Sequence, residues 1–208
     1  MNKHIGIVGG GTVSDTFLPE IQKADYIIGV DHGAAWLIVH GITPNIAIGD
    51  FDSVSSKELE EIKKRVKIVK KYSSEKDFTD MELAVDHAIS LHPNEVIIYG
   101  AIGSRLDHTM GNIHLLEMLN EKGVIRDENN EVRVVSGQFV LKKEPRYPYV
   151  SVLPVSDSIE ISLTGFLYDA SNALIRRGQT LGISNEIRED QATINVHRGR
   201  ALVVRSRD

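Results

Sequence analysis

Hydrophobic periodicity changes once along this chain, near Glu131, and that change constrains the fold more than any single motif. Before it, compact runs rich in Ile and Val (HIGIV, YIIGV, NIAIG, VKIVK, EVIIYG) alternate with helical segments. The helical segments are GAAWLIVHG, SSKELEEIKKR and DFTDMELAVDHAISLH, whose apolar residues recur every three or four positions. In the last of these the spacing predicts Met81, Val85, Ala88 and Ile89 on one face. Short continuous apolar runs are the pattern of strands buried on both faces, and strands alternating with helices imply right-handed crossovers into a parallel sheet. After LDHTMGNIHLLEMLNEKG the runs EVRVVSG, QFVLKK, YVSVLPVS, SIEISLTG, QATINVHRG and RALVVRS follow with no comparable helix. Ser158-Ile159-Glu160-Ile161-Ser162-Leu163 alternates strictly, as a half-buried antiparallel strand does. The expectation is an N-terminal open parallel α/β domain over residues 1–124 and a C-terminal antiparallel β-sandwich or jelly roll over 130–208. The polar stretch from Gly123 to Asn130 reads as the turn between them.

The α/β half places acids at its strand ends. YIIGV runs into Asp31, NIAIG into Asp50 and Asp52, VKIVKKY through SSEK into Asp77 and Asp80, and EVIIYGAIG into Arg105, Asp107 and His108. In an open α/β sheet, ligands bind beyond the carboxyl ends of the strands, so four strand ends deliver acids to the expected ligand edge. Part of this is helix capping. Ser55-Ser56-Lys57-Glu58 is a capping box, and Thr79-Asp80-Met81-Glu82 is a second helix start. Capping accounts for neither Asp50 nor Asp77, which precede those helices. Clustered carboxylates repel one another unless a cation sits among them, and oxygen-only ligands suit Mg²⁺ with phosphates. Lys76 beside Asp77 and Arg105 beside Asp107 add positive charge for phosphate oxygens. The pattern therefore points to a polyphosphate held through metal, with Asp50 and Asp52 as ligands.

Other classes are excluded or weakened. The chain has no cysteine, which removes disulfides, thiolate metal sites and a cysteine nucleophile. No GxxxxGK[ST] occurs, so it is not a P-loop enzyme. Gly9-Gly10-Gly11-Thr12 follows the first strand without completing GxGxxG, and reads as a tight turn near a phosphate. His4, His40, His87, His92 and His114 form no ligand pair at helical spacing, and Trp36 reads as core. A net charge of -5 with interspersed signs argues against a polyanion partner. The amino terminus lacks a signal-peptide apolar region, and no run approaches a membrane span, so a cytoplasmic protein is expected. Asp50-Phe51-Asp52-Ser53-Val54 also resembles the DxDx[TV] of haloacid-dehalogenase-like phosphatases, although there it ends the first strand. A DxD glycosyl- or nucleotidyltransferase and a non-catalytic ligand-binding regulator on the same scaffold remain as alternatives.

Taken in order, Asp31-His32-Gly33-Ala34, Gly49 to Ser53, Lys76 to Asp80, Gly100 to Ile113 and Ser184-Asn185-Glu186 resemble the motifs of the thiamine pyrophosphokinase family. The resemblance spans essentially the whole chain. His32 stands where that pattern has a glycine, as does Ser104, both in turns beside the expected nucleotide; every acidic position is kept. The resemblance implies a catalytic α/β domain, a thiamine-binding and dimerising β-sandwich, and a homodimer. It implies direct transfer of the β,γ-pyrophosphoryl group of ATP to the hydroxyl of thiamine, giving thiamine diphosphate and AMP. Carried over, it implies Mg²⁺ and pyrophosphate contacts from Asp50, Asp52, Asp77 and Asp80, with Asp50, Asp52 and Asp77 as the metal set. Arg105 and Asp107 would orient phosphates and the thiamine hydroxyl. Asp31, Gly33, Lys76, Thr79, Arg105 and His108 would surround the nucleotide, and Ser184 and Asn185 would contact thiamine, across the dimer interface. Asp77 and Asp107 are both candidates for the base that accepts the alcohol's proton.

Overall fold

A computed structural model describes residues 3–73, 75 and 77–208. The chain divides into two compact units, Met1–Glu128 and Asn129–Asp208.

The first unit is an α/β sheet. Its elements are β1 (His4–Val8), α1 (Leu18–Ile21), β2 (Tyr26–Val30), α2 (His32–Val39), β3 (Ile46–Gly49), α3 (Ser56–Arg65), β4 (Ile68–Lys71), α4 (Asp80–Ser90), β5 (Glu95–Tyr99), α5 (Leu106–Leu119) and β6 (Gly123–Arg126). The strands are all parallel in the order β6-β5-β1-β2-β3-β4. Ile5, Ile7, Ile28, Ile46, Ile48, Val96 and Ile98 are buried, as strands covered on both faces require. β4 departs from that expectation. Its IVKK is largely exposed at the sheet edge, where Lys70 and Lys71 discourage further strand pairing. On α4 the buried face is Met81, Ala84, Val85 and Ala88, and Ile89 lies outside it. The stretch read as a turn from Gly123 contains β6, whose Val124 and Ile125 are fully buried beside β5, so this unit runs on to Glu128.

Strand order fixes where a ligand can enter. From β1 the chain proceeds through β2, β3 and β4 in one direction, then returns to the other side of β1 with β5 and β6. The reversal opens a crevice between the carboxyl ends of β1 and β5, the usual ligand position of such sheets. There Gly9 N donates to Tyr99 O at 2.8 Å, and Gly11 N donates to Gly100 O at 3.0 Å.

The second unit is an antiparallel β-sandwich of β7 (Asn130–Lys142), β8 (Tyr149–Pro154), β9 (Ser158–Thr164), β10 (Ala170–Arg176), β11 (Asn185–Glu186) and β12 (Gln191–Ser206). Four of the sequence runs merge into two long strands: EVRVVSG with QFVLKK is β7, and QATINVHRG with RALVVRS is β12. β12 follows β7 for its whole length but changes its other partner, from β9 over Thr193–Arg198 to β8 over Ala201–Ser206. Gly199, at φ 82°, sits at that change, where an added Cβ would lie 2.6 Å from Ser158 O. A glycine that reads as a hairpin turn is thus a corner in a continuous strand. Between the layers lie Val150, Val152, Ile159, Ile161, Ile194 and Val203. The sequence pattern missed β10, because ASNALIR does not alternate apolar with polar residues and its register shifts between Ala170 and Ala173.

Candidate active site

The β3 end is shaped by one close approach and one left-handed residue. An added Cβ at Gly49 would lie 1.8 Å from Asp31 Oδ1, so glycine is required for the two loops to meet. Asp31 N donates to Ile48 O at 3.0 Å, and Asp31 Oδ1 accepts from Phe51 N at 3.1 Å. Asp31 and Phe51 take positive φ values of 47° and 59°. Such strain persists where surroundings over-determine it, and here the Phe51 ring is 4% exposed in the cluster with Ala34, Ile38 and Ile62. Anchored in this way, Phe51 leaves Asp50 half-buried and Asp52 exposed, with Asp52 N donating to Asp50 Oδ1 at 3.0 Å.

The next loop ends at Thr79, whose hydroxyl caps α4 by accepting from Glu82 N at 3.1 Å. The cap fixes Asp80 in the first turn. There Asp31, Asp50 and Asp80, all half-buried, can bring one carboxylate oxygen each within 4.8 Å of one another. The metal set expected from sequence was Asp50, Asp52 and Asp77, and only Asp50 is common to both. Asp31, read as a nucleotide contact, and Asp80, read as a helix-start acid that also contacts Mg²⁺ and pyrophosphate, complete the trio. Asp52 and Asp77 are exposed and stand outside it. Lys76 lies outside the described residues.

A cavity of about 440 Å³ opens over the trio. Asp31, Asp50, Ser53, Thr79 and Asp80 line it on one side, and Gly10, Gly11, Gly100, Gly103 and Ser104 line it with Arg105, His108 and Asn112. It therefore occupies the crevice that strand order predicts. Phe78, about half exposed, also lines it. Gly33 does not line the cavity; it seats α2 against the end of β1, where a Cβ would meet Val8 O at 2.1 Å.

Arg105 precedes α5 and closes a two-point ion pair with Asp107, Nη2 to Oδ2 at 2.6 Å and Nε to Oδ1 at 3.2 Å. The guanidinium holds the Asp107 carboxyl down at about 2 and itself becomes harder to deprotonate. Two residues to which the motif reading gave no role keep this loop in place. Thr109 Oγ1 accepts from Gly103 N at 3.2 Å, and Asn112 Nδ2 donates to Ala101 O at 2.7 Å. Their signal was the helical spacing from Arg105, which puts Thr109 and Asn112 back over the loop.

In the β unit, Ser184 is exposed and left-handed at φ 59°, and its N donates to Ser151 Oγ at 3.1 Å. Asn185 is buried, and its amide is engaged with the backbone of Tyr168 and Glu186. No helix among the described residues is long and apolar enough to cross a membrane.

Comparisons with known proteins follow the same division. Residues 17–125 match the family model "Thiamin pyrophosphokinase, catalytic domain", and residues 138–200 match "Thiamin pyrophosphokinase, vitamin B1 binding domain". A thiamine pyrophosphokinase of Bacillus subtilis is 36% identical, the match covering 99% of this chain and all of that one. The crystal structure of thiamine pyrophosphokinase from Bacillus subtilis superposes with a TM-score of 0.92 at 33% identity, covering 99% of this chain and 100% of that one. The structure from Geobacillus thermodenitrificans superposes at 0.87 and 34% identity, covering 99% and 98%.

Proposed function

Because the chain belongs to the thiamin pyrophosphokinase family and is a thiamine diphosphokinase, we propose that the cavity over Asp31, Asp50 and Asp80 is where ATP and thiamine react. The carboxylate trio at the sheet's switch point carries this reading. Its oxygen donors fit a hard cation such as Mg²⁺ that also takes phosphate oxygens, and Asp31, Asp50 and Asp80 would hold it. When bound, the ion neutralises phosphate charge. Asp52 and Asp77, on the flanking loops, complete the acidic rim around the phosphates.

The remaining work falls to the chain's own groups. Pyrophosphoryl transfer asks mainly for positioning and charge stabilisation of an in-line displacement. The thiamine hydroxyl oxygen bonds to the β-phosphorus of ATP, the bond from that phosphorus to the α,β-bridging oxygen breaks, and AMP leaves. Arg105, at the cavity and held by Asp107, offers its guanidinium to the transferring phosphates. The alcohol proton goes to a carboxylate at this rim, Asp77 or Asp107. Thr79, His108 and the Gly10–Gly11 turn line the nucleotide side, while Asp31 serves the trio and Gly33 the packing beneath it. Lys76 belongs to the same motif. The Ser184–Asn185 turn forms part of the thiamine side, within the residues matched to the vitamin B1 binding model. Exposed apolar residues of the β unit, Val140 and Leu174, support a homodimer, and the similarity to a Bacillus subtilis enzyme supports work in the cytoplasm.

The test is to incubate the purified protein with ATP, Mg²⁺ and thiamine and to separate the products by chromatography. AMP and thiamine diphosphate should appear in equal amounts, and a chelator should abolish both. ADP or free phosphate in their place would overturn direct pyrophosphoryl transfer.

A further inference from the structure

At the amino ends of the strands, opposite the catalytic cavity, cations gather without carboxylates to neutralise them. Tyr26 opens β2, and α4 packs over β1, β2 and β3. The Tyr26 hydroxyl meets His87 Nε2 of α4 at 3.3 Å, and the two rings lie 5.9 Å apart. Lys3, just before β1, sets its Nζ 5.3 Å from the centre of the Tyr26 ring, a cation–aromatic contact that holds it there. Lys3, Tyr26 and His87 are all half-buried. From the sheet edge, Lys70 of β4 acts on the same histidine.

The acids closest in the chain are turned elsewhere. Asp25 Oδ2 accepts from His4 N at 2.8 Å, and Glu95 Oε2 sits 3.3 Å from His4 Nδ1. Asp86, beside His87 in sequence, is exposed, and neighbours one apart on a helix do not face each other. Among the described residues no carboxylate forms an ion pair with Lys3, Lys70 or His87. His87 feels the imbalance. Burial holds its proton affinity below the ordinary 6.5, and the charges of Lys70 and Lys3 lower it further. Burial also pushes the Tyr26 phenol up, so its hydroxyl keeps its proton as a donor. Edge protection explains a charge at Lys70. It does not explain a half-buried lysine and a half-buried histidine gathered on one tyrosine of an inner strand. An anion among them would relieve the repulsion, and a phosphate offers acceptor oxygens to ammonium, imidazole and phenol donors together. We propose that Lys3, Tyr26, Lys70 and His87 form a binding site for a phosphoryl group, separate from the catalytic cavity at the other end of the strands. Helix α4 joins the two places, with Asp80 of the trio at its first residue and His87 farther along.

NMR titration of the His87 ring, assigned with His87→Gln, reads this site directly. The reference is chloride at matched ionic strength, because screening alone weakens the repulsion from the lysines. Inorganic phosphate should raise the His87 midpoint above its chloride value by roughly one pH unit, the scale set by a neighbouring opposite charge. The double variant Lys3→Gln, Lys70→Gln should start from a higher midpoint and no longer respond to phosphate. Methyl phosphate in the same titration separates two sources: a response at least as large marks a bound phosphate ester, and a smaller one marks free phosphate. Equal midpoints in chloride, phosphate and methyl phosphate would overturn the proposal. So would a phosphate response that survives in the double variant. Should that variant not fold, Lys70→Gln alone changes only an exposed side chain and should weaken the response. An undiminished response there would remove Lys70 from the site and overturn the proposal as stated.

Discussion

In the α/β unit, Asp50 stands half-buried on a loop and Asp80 in the first turn of α4, their backbones fixed by the buried Phe51 ring and the Thr79 cap. In the β unit, Asn185 is buried and spends its amide on Tyr168 and Glu186. Both arrangements serve a motif, but they divide the labour differently. In the first, the scaffold holds the backbone and the motif side chain faces the cavity. In the second, the motif side chain is itself the scaffold and holds a neighbouring turn. A motif therefore marks what a site needs, and burial and hydrogen bonding tell whether a residue acts by contact or by support.

The largest effect that could break this contrast lies at the acidic trio. Asp50→Asn and Asp80→Asn keep shape and remove charge, and the Asn at position 50 still offers an oxygen to Asp52 N. Each should lower turnover by about a hundredfold or more, as loss of a group that stabilises transition-state charge does. Thermal unfolding should barely move, because neither side chain is part of a packed core. Near wild-type turnover in either variant would remove that residue from the site.

The opposite signature is expected in the sandwich. Ile161 is fully buried between the layers, so Ile161→Ala should cost about 2–5 kcal/mol of stability, read as a lower unfolding midpoint in denaturant. Protein that remains folded should keep its thiamine KM. A changed KM without loss of stability would mean that the core and the Ser184–Asn185 turn are not separable.

How much of this was legible in the sequence depended on how local the cause was. β1 and β2 coincide with HIGIV and YIIGV, since burial on both faces writes itself into a continuous apolar run. The capping box of α3 was equally readable, with Ser55 N donating to Glu58 Oε2 at 2.9 Å and Glu58 N to Ser55 Oγ at 3.3 Å. Edge position was not readable: β4 carries an apolar run but stands at the end of the sheet, and that order depends on every other strand. Nor could Gly199 be told from a turn, because the same residue serves a hairpin and a bent strand. At the site, the acids at strand ends were found by their spacing, yet the trio was not. Asp31 and Asp80 join Asp50 only because Gly49 lets two loops touch and Thr79 fixes a helix start. The satisfied amide of Asn185 was invisible for the same reason, its partner Tyr168 lying well upstream in the chain.

The Arg105–Asp107 pair lies between the two cases and sharpens the comparison. Like Asn185, Asp107 already has a partner; unlike it, both members are exposed. Water and salt screen such a pair, so Arg105 can exchange its carboxylate for a phosphate where the buried amide cannot exchange its backbone. The sign of the titration follows from the guanidinium. Because the Asp107 carboxyl is drawn from its ordinary 3.8 down to about 2, the pair's contribution is complete above 3.8 and is lost only as pH falls through about 2. Carbon NMR of the Asp107 carboxyl should find it still ionised at pH 3.8, and its midpoint should rise toward 3.8 once Arg105→Ala has removed the guanidinium. An Asp107 that titrates at its ordinary value in the wild type would mean that the pair is not held in solution. Arg105 would then reach the cavity without a carboxylate to orient it.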